Sequence, residues 1–449
     1  MVMAKVLDDL SGEILCYLPV KSLLRFQCIS KSWYSLIHSP RFIKSHLQQS
    51  PNTNSNSVLV ALVKNTIGDF AQSHLCVAGI GSPDKLLKNN SGVDNIKVHG
   101  SCNGLICLSI LNHYLVLSNM STKDFHITPI PNPGPRRSSK FHYGLGYDSV
   151  NDDYKVVMIF LSNDLKVASP SPSCYAKTRI YSLRHNMWSE TKRICIGHPR
   201  KLCNQGLPAD ASVNGVFARG ALHWMTQRRP FPLGKISSSI SILAFDVAAE
   251  AVQEIPLPEY LQNKTLKKGF DIQVGVLGGS LCLSSKDGID DHYYDIWVLK
   301  DYMIQDSWTR LFQISTSMVT EDYMLQDFWT KLFQTSARVD SRVTALIPVG
   351  LSGHELLLGK PLGGFYCYNL EKEELRYAGT CGRGFYTAVI CLGTLVSISD
   401  YKALWRESTR PRKRKRSRNK INHGETLLDD ALRYFFRFHD KFNHVQSTC

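Results

Sequence analysis

A glycine followed by a short, alternating apolar strand recurs along most of the chain. The four copies are GLICL at Gly104, GALHW at Gly220, GSLCL at Gly279 and GHELLL at Gly353. A hairpin with Asn, Asp or Lys at its bend follows each copy, and the intervals between the glycines are 116, 59 and 74 residues. Because 116 is two units of 58, and the hairpin RIYSLRHNMWSE lies within that interval, a further unit is predicted there.

The longer third interval has a local cause. The segment DYMIQDSWTRLFQ (301–313) reappears as DYMLQDFWTKLFQ (322–334), an offset of 21 residues. Removing 21 from 74 leaves 53, in step with the other units. We interpret the pair as a tandem duplication inside one unit, which forms an extra hairpin or a bulging loop at the rim, where insertions are tolerated.

Units of 53 to 59 residues match the kelch-type propeller blade of about 50 residues. Five units are visible, and we expect the first strand, SVLVALVKN, and the last, FYTAVICLG, to close a sixth. The predicted fold is mainly β with a small N-terminal α domain: three to four helices over 4–47, a polar linker over 48–57, and a kelch-like β-propeller of about six degenerate blades over 58–400. A large β-sandwich or two stacked sheets is the alternative.

The N-terminal residues 8–47 have helical rather than strand periodicity. Their apolar residues form three stripes, and a break at Pro19 separates the first stripe from the second. Asp8 or Asp9 is expected to cap the first helix, Ser30 the third, and Ser39 a helix that begins with Pro40.

A helical bundle of this size does not bury enough apolar surface to be stable alone. Ordering ~40 residues costs roughly 60 kcal/mol, which needs about 2,400 Å² of apolar burial to offset. Burial against another protein would supply the missing apolar contact. The residues positioned for that contact are Leu18, Pro19, Val20 and Leu24. The alternative is that the helices cap the rest of this chain.

The formal charge of +15 is concentrated near the C-terminus. Residues 406–420 carry nine Lys/Arg and one Glu, which leaves +7 for the rest of the chain and weakens a nucleic-acid function. The run RPRKRKRSR is interpreted as a nuclear-import signal (Arg412, Lys413, Arg414, Lys415 and Arg416), a non-specific phosphate contact or a solvated tail. Residues 425–443 have helical spacing, and would pack on the propeller, bind a partner or form a frayed extension.

No catalytic, metal or cofactor motif is found in the sequence. The acids around His292 in DGIDDHYYD do not have the spacing of a calcium loop, and we expect an exposed loop there. His223 lies in an alternating strand, where a structural histidine is expected. The scattered cysteines, such as Cys107 and Cys282, are expected to be buried thiols. With no targeting segment or spanning run, we expect a non-enzymatic intracellular protein, cytoplasmic and/or nuclear.

The segment LDDLSGEILCYLPVKSLLRFQCISKSWYSLIHSPRFIKSHL resembles the F-box of plant F-box proteins, especially in EIL, LPVKSLLRF, SKSW and SPRF. In that family the motif binds a Skp-type adaptor and so attaches the protein to a cullin–RING ubiquitin ligase. One departure is Val6-Leu7, where the family usually has Leu-Pro. Carried over by position, the adaptor contacts are Leu10, Ile14, Leu15, Leu18, Pro19, Val20, Leu23, Leu24, Ile29 and Trp33.

Further motifs over 98–399 resemble the kelch-like F-box-associated domain, in the branch that includes the pollen S-locus F-box proteins. They are VHGSCNGLICL, GLGYDSVNDDYKVV, IYSLRHNMW, ARGALHWM, DIWVLKDY with SWTRLF, and YTAVICLGTLVS. Departures are the duplication, the C-terminal tail, and LSNMST, where the family often has Trp-Asn-Pro-Ser-Thr. The resemblance implies a substrate receptor that recruits a protein target for ubiquitination and proteasomal degradation, with a pistil ribonuclease as one candidate.

Two other classes of function stay open. One is a stand-alone binding or scaffold propeller, in which the N-terminal helices serve only as a cap. The other is a nucleic-acid binder that acts through the basic tail.

Overall fold

The fold is seen in a computed structural model of the 449-residue chain. The residues that the structure describes are 12–49, 58–67, 70–79, 87–88, 96–110, 112–131, 141–161, 175–195, 200–202, 214–228, 240–262, 271–286, 293–315, 347–352, 355–360, 364–372, 374–379 and 387–408. They form an N-terminal helical bundle and six antiparallel sheets.

A helical turn at 12–15 opens the bundle. The helices that follow are α1 (Val20–Phe26), α2 (Lys31–Ile37) and α3 (Pro40–Gln49). A short helix, α4 (Glu259–Gln262), interrupts the strands, and α5 (Ile398–Ser408) follows the last of them.

The sheets are blades 1 to 6 of a β-propeller, as predicted. Blade 1 contains β26 (Thr387–Cys391), β1 (Val58–Ile67), β2 (Phe70–Gly79) and β3 (Leu87–Lys88). Blade 2 contains β4 (Lys97–Cys102), β5 (Leu105–Ile110), β6 (Tyr114–Asn119) and β7 (Asp124–Pro129). Blade 3 contains β8 (His142–Asp148), β9 (Asp153–Leu161), β10 (Tyr175–Ser182), β11 (Met187–Trp188) and β12 (Lys192–Cys195).

The remaining three blades follow in chain order. Blade 4 contains β13 (Arg200–Leu202), β14 (Val216–Ala218), β15 (Ala221–Arg228), β16 (Ile240–Asp246) and β17 (Ala251–Ile255). Blade 5 contains β18 (Asp271–Leu277), β19 (Ser280–Lys286), β20 (Tyr293–Leu299) and β21 (Trp308–Ser315). Blade 6 contains β22 (Ile347–Ser352), β23 (Glu355–Lys360), β24 (Gly364–Asn369) and β25 (Glu374–Gly379).

The ring closes through the two ends of the propeller sequence. The last strand, β26, pairs with the first, β1, in the register Val60↔Val389. The innermost strands β26, β4, β8, β14, β18 and β22 each contact the next, and β22 contacts β26. The predicted closing pair of strands is therefore confirmed, and the sandwich alternative is excluded.

Apolar clusters fill the wedges between consecutive blades. In β1, Leu59 and Ala61 pack towards blade 6, whereas Val60 and Leu62 pack towards blade 2. Because successive strand residues point to opposite faces, both faces of a blade are buried. This is why β5, the second strand of blade 2, is almost continuously apolar and has every residue buried.

The recurring glycines have a common backbone role. Gly104, Gly220 and Gly279 end the tight turn between the first two strands of blades 2, 4 and 5, with φ of +81°, +79° and +76°. Glycine adopts this left-handed conformation without steric cost. In blade 3 the Asp148 side chain shapes the turn instead, since its Oδ1 accepts hydrogen bonds from the backbone N of Val150 and Asn151 at 3.0 and 3.1 Å. The further unit that the sequence predicts between Gly104 and Gly220 is therefore confirmed as blade 3.

Two boundaries differ from the sequence prediction. Helix α3 runs to Gln49, two residues into the predicted linker, and α5 crosses the predicted propeller end at residue 400 and the tail start at 406. The spacing of Ile398, Tyr401 and Trp405 is helical and was available in the sequence. Segment 301–313 forms the β20–β21 turn and most of β21, whereas its repeat at 322–334, the linker from residue 50 and the residues after 408 lie outside the described residues.

Candidate functional site

The helices of the bundle begin where the sequence signals indicate. Ser30 caps α2, because its Oγ accepts a hydrogen bond from the Trp33 backbone N at 3.1 Å. Ser39 does the same for α3, where its Oγ accepts from the Phe42 backbone N at 3.2 Å. Helix α1 begins directly after Pro19. Each of the two serine caps satisfies a helix N–H that has no partner within the helix, so the starts of α2 and α3 are fixed, whereas α1 has no side-chain cap.

Part of the predicted adaptor-contact set lies inside this bundle. Leu15, Val20 and Leu23 are 2%, 2% and 0% exposed, and they pack with Ile37 and Phe42. Side chains without accessible surface support the helices from within. They are therefore not available as a contact surface in this conformation.

A second part of the set is strongly exposed. Ile14 is 66% exposed and Ile29 61%, and Tyr17 and Tyr34 beside them in the sequence are 60% and 52% exposed. Of the eleven large exposed hydrophobic side chains in the described part of the chain, four lie between residues 14 and 34. A concentration of exposed apolar side chains on one small bundle is typical of an interaction surface. Tyr17 and Tyr34 are not in the predicted set, which is carried over by position from the family motif.

The rest of the set lies between these two extremes. Leu18, Pro19, Leu24 and Trp33 are half-buried at the surface of the bundle. Trp33 packs edge to face on Phe26, with ring centroids 5.7 Å apart, which holds its orientation. Leu10 and Leu7 lie outside the described residues.

His46 ties α3 to the start of the bundle. Its Nε2 lies 2.9 Å from the backbone O of Leu18 and donates to it, and the side chain is buried. Burial lowers the pKa of His46, which favours the neutral ring. The turn before Pro19 is thereby held against α3.

The bundle is attached to the propeller by the segment that follows β26, which we call the strap (residues 392–408). Its contacts on blades 2 and 3 include Asn103, Asn119 and Leu183, all at the blade edge that carries the short glycine turns. The opposite edge carries the other ends of these strands, namely Leu161 of β9, Arg228 of β15, Lys286 of β19 and Ser315 of β21. Bundle and strap therefore share one face of the ring, and these four strand ends lie at the other.

Other residues singled out by sequence have structural roles. His223 is fully buried in blade 4; its Nδ1 lies 3.1 Å from Val216 O and its Nε2 2.8 Å from the Tyr302 hydroxyl. Burial lowers its pKa to about 4. Cys107 and Cys282 are fully buried, as predicted, and burial raises the pKa of Cys282 to about 12.

The acidic segment near His292 is described only at its end. Asp295 is buried and accepts a hydrogen bond from Gln313 Nε2 at 3.0 Å, whereas 287–292 lie outside the described residues. Within the described ranges, no cluster of His, Cys, Asp and Glu could hold a metal ion. None of the helices described there is long and apolar enough to span a membrane.

Comparisons with known proteins agree with this two-part architecture. Residues 8–45 match the F-box domain model, and residues 83–336, more than half of the chain, match the F-box associated beta propeller domain. The chain is 32% identical over 327 residues to F-box protein CPR1 of Arabidopsis thaliana, covering 70% of this chain and 73% of that protein. It is 30% identical over 325 residues to F-box protein At4g22390 of the same plant, covering 70% and 74%.

A third relative carries the repeat name in its description. The F-box/kelch-repeat protein At3g23880 of Arabidopsis thaliana is 26% identical over 329 residues, covering 68% of this chain and 78% of that protein. The F-box match coincides with the helical bundle, and the match over 83–336 lies within the ring and spans blades 2 to 5. The chain therefore belongs to the F-box proteins in which an F-box precedes an F-box-associated β-propeller.

Proposed function

We propose that the chain is a substrate receptor of a Skp–cullin–F-box ubiquitin ligase, with the F-box bound to a Skp-type adaptor and the propeller bound to a protein target. The observation that carries this proposal is the exposed apolar surface of Ile14, Tyr17, Ile29 and Tyr34. These side chains lie on a small bundle whose inner face is already occupied by its own core. A partner that covers them would remove apolar surface from water.

The adaptor surface we propose combines the exposed Ile14, Tyr17, Ile29 and Tyr34 with the half-buried Leu18, Pro19, Leu24 and Trp33. The helices that present this surface are held in place by their core residues Leu15, Val20 and Leu23. This division refines the contact set carried over from the family. It does not require the buried residues to leave the core.

The mechanism we propose is proximity and requires no catalytic residue in this chain. Ubiquitin chemistry belongs to other subunits of the ligase. A receptor that holds a target beside the conjugating enzyme raises the effective concentration of the target lysines to the order of mM. The arrangement of the ring supports this role, because the strand ends Leu161, Arg228, Lys286 and Ser315 lie at the edge opposite the F-box, where a bound target would not contact the F-box.

The target and its location in the cell are proposed from sequence alone. The S-locus resemblance adds a pistil ribonuclease as one candidate, which a binding assay with the purified ribonuclease tests. The basic run Arg412 to Arg416 is proposed as an import signal that allows a nuclear as well as a cytoplasmic pool. Replacing it with alanines should lower the nuclear fraction in fluorescence microscopy, and an unchanged distribution would remove this role.

A matched set of substitutions tests adaptor binding. Ile14→Asp and Ile29→Asp each place a charge in the proposed contact surface, and should weaken binding of a purified Skp-type adaptor by about 100-fold in calorimetry. Both side chains are exposed, so the fold should be retained, with unchanged circular dichroism. Ile304→Asp, at a 56% exposed isoleucine in the β20–β21 turn of blade 5, is the control and should bind like the unaltered protein.

The same experiment distinguishes a ligase receptor from a stand-alone scaffold propeller. If the unaltered chain binds no Skp-type adaptor, the F-box serves only as a cap and the ligase function is wrong. If the adaptor binds but the two F-box variants bind as well as the control, the contact surface lies elsewhere on the bundle.

A further inference from the structure

The core of the F-box contains a residue from the far end of the chain. Leu395, in the strap, is 6% exposed and packs in the same cluster as Leu15, Leu23 and Phe42. The strap begins directly after β26, the strand that closes the ring. The small bundle is therefore completed by the segment that completes the propeller.

Asn119 holds this segment in place through its amide nitrogen. The Nδ2 of Asn119 donates to Val396 O at 2.7 Å and to Thr394 O at 3.0 Å, and the residue is fully buried. The Thr394 hydroxyl in turn donates to Asn103 O at 2.9 Å. Two buried carbonyl groups on either side of Leu395 are thus satisfied by one side chain, which leaves the strap little freedom to shift.

Equivalent positions in other blades show that this nitrogen is not needed for the turn. The Asn119 Oδ1 accepts from the backbone N of Ser121 at 2.8 Å. Asp246 and Asn369 make the same kind of turn with a side-chain oxygen, Asp246 with Ala248 N at 2.9 Å and Asn369 with Glu371 N at 3.0 Å. An oxygen therefore suffices to form the turn. The amide nitrogen of Asn119 serves the strap.

Helix α5 continues the attachment beyond Leu395. Tyr401 and Trp405 pack in one cluster with Ile43 and Leu47 of helix α3. The Trp405 Nε1 donates to the Leu183 backbone O at 2.8 Å in blade 3.

Two ion pairs lie at the same junction. Lys402 Nζ lies 3.1 Å from an Asp124 carboxylate oxygen in blade 2, and Lys44 Nζ of α3 lies 3.2 Å from Asp152 of blade 3. The F-box is thereby joined to two blades, directly and through the strap.

We propose that the strap makes the adaptor-binding form of the F-box depend on a closed propeller, with Leu395 and Asn119 as positioning residues. When β26 does not close the ring, Leu395 is not delivered and helices α1 and α2 lose part of their core. Only a chain with a complete target-binding domain then presents a fully ordered F-box. The consequence for adaptor binding rests on the proposed function. The coupling between closure of the propeller and order in the F-box does not.

Hydrogen exchange on the full chain, without adaptor, tests the coupling. Asn119→Asp keeps an oxygen for the turn but sets a carboxylate against two carbonyl groups. We expect amides of α1 and α2 to exchange at least about tenfold faster, while those of blade 5 are unchanged. Asn369→Asp, at the equivalent turn of blade 6, is the control and should leave α1 and α2 unchanged.

A second pair of variants keeps the test decisive if Asn119→Asp does not fold. Leu395→Ala leaves a cavity in the F-box core and should speed exchange in α1 and α2, whereas Leu404→Ala, at a 40% exposed position of α5, should not. Unchanged exchange in α1 and α2 for Leu395→Ala, or equal acceleration in blade 5, overturns the proposal. Failure of the unaltered chain to bind an adaptor would refute the proposed function alone, since exchange is read without the adaptor.

Discussion

The imidazole of His223 has a hydrogen-bond partner on each ring nitrogen. Its Nδ1 faces the carbonyl of Val216, which only accepts, so Nδ1 carries the proton and Nε2 accepts from the Tyr302 hydroxyl. A second proton on the ring would break the latter arrangement in a fully buried site. This agrees with a folded-state pKa of about 4.

Because His223 binds a proton more readily in the unfolded chain, it makes stability depend on pH. Its contribution is complete above the unfolded pKa of about 6.5 and is lost as pH falls towards 4, at about 1.4 kcal/mol per pH unit. We expect His223→Gln to flatten the fall in the free energy of unfolding between pH 6.5 and 4, measured by urea unfolding at each pH. Val150→Gln, at a 79% exposed valine, introduces the same side chain without removing a titratable group, and as the control should keep the original slope. An unchanged slope in His223→Gln would contradict the assignment.

At the scale of the element, the glycine turns form a matched pair. Gly104 and Gly279 occupy the same turn in blades 2 and 5, with nearly equal positive φ. A Cβ at Gly279 would meet nothing within 4 Å, whereas one at Gly104 would overlap the Thr394 hydroxyl and lie 2.8 Å from Leu392 O. The two positions therefore share the backbone strain and differ in the strap contact.

Alanine substitution at the two glycines should separate these costs. We expect Gly279→Ala to lower the free energy of unfolding by about 1 to 2 kcal/mol through the left-handed backbone alone. Gly104→Ala should cost about 2 kcal/mol more, because the strap has to move away. Urea unfolding of both variants measures the difference, and equal losses would mean that the strap yields without cost.

The sequence predicts these elements better than their contacts. The glycine repeat predicts the turns and the blades, because a two-residue turn with positive φ restricts the residue type locally. The caps of α2 and α3 are local for the same reason. Leu395 and Asn119, by contrast, meet partners distant in the chain, and neither has a local signal that separates it from any other Leu or Asn. Nor does periodicity divide the apolar residues of the F-box into the buried Leu23 and the exposed Ile29.

At the scale of the whole molecule, the two ends of the described chain depend on each other. The F-box precedes β1, β26 pairs with β1, and the strap after β26 returns to the F-box. A chain that lacks β26 leaves the edge of β1 unpaired and opens the wedges on both sides of blade 1. A chain that keeps β26 but lacks the strap still closes the ring.

Successive C-terminal truncations should therefore first destabilise the F-box and then the propeller. With a chain ending after Ser408 as the reference, a chain ending after Leu392 should keep cooperative thermal unfolding of the propeller but lose protection from hydrogen exchange in α1 and α2. A chain ending after Tyr386, without β26, should lose the cooperative transition and aggregate, as seen by calorimetry and light scattering. If it instead unfolds at the same temperature as the chain ending after Leu392, pairing of β26 with β1 contributes nothing to the stability of the ring. Closure then could not be the event that delivers Leu395 to the F-box.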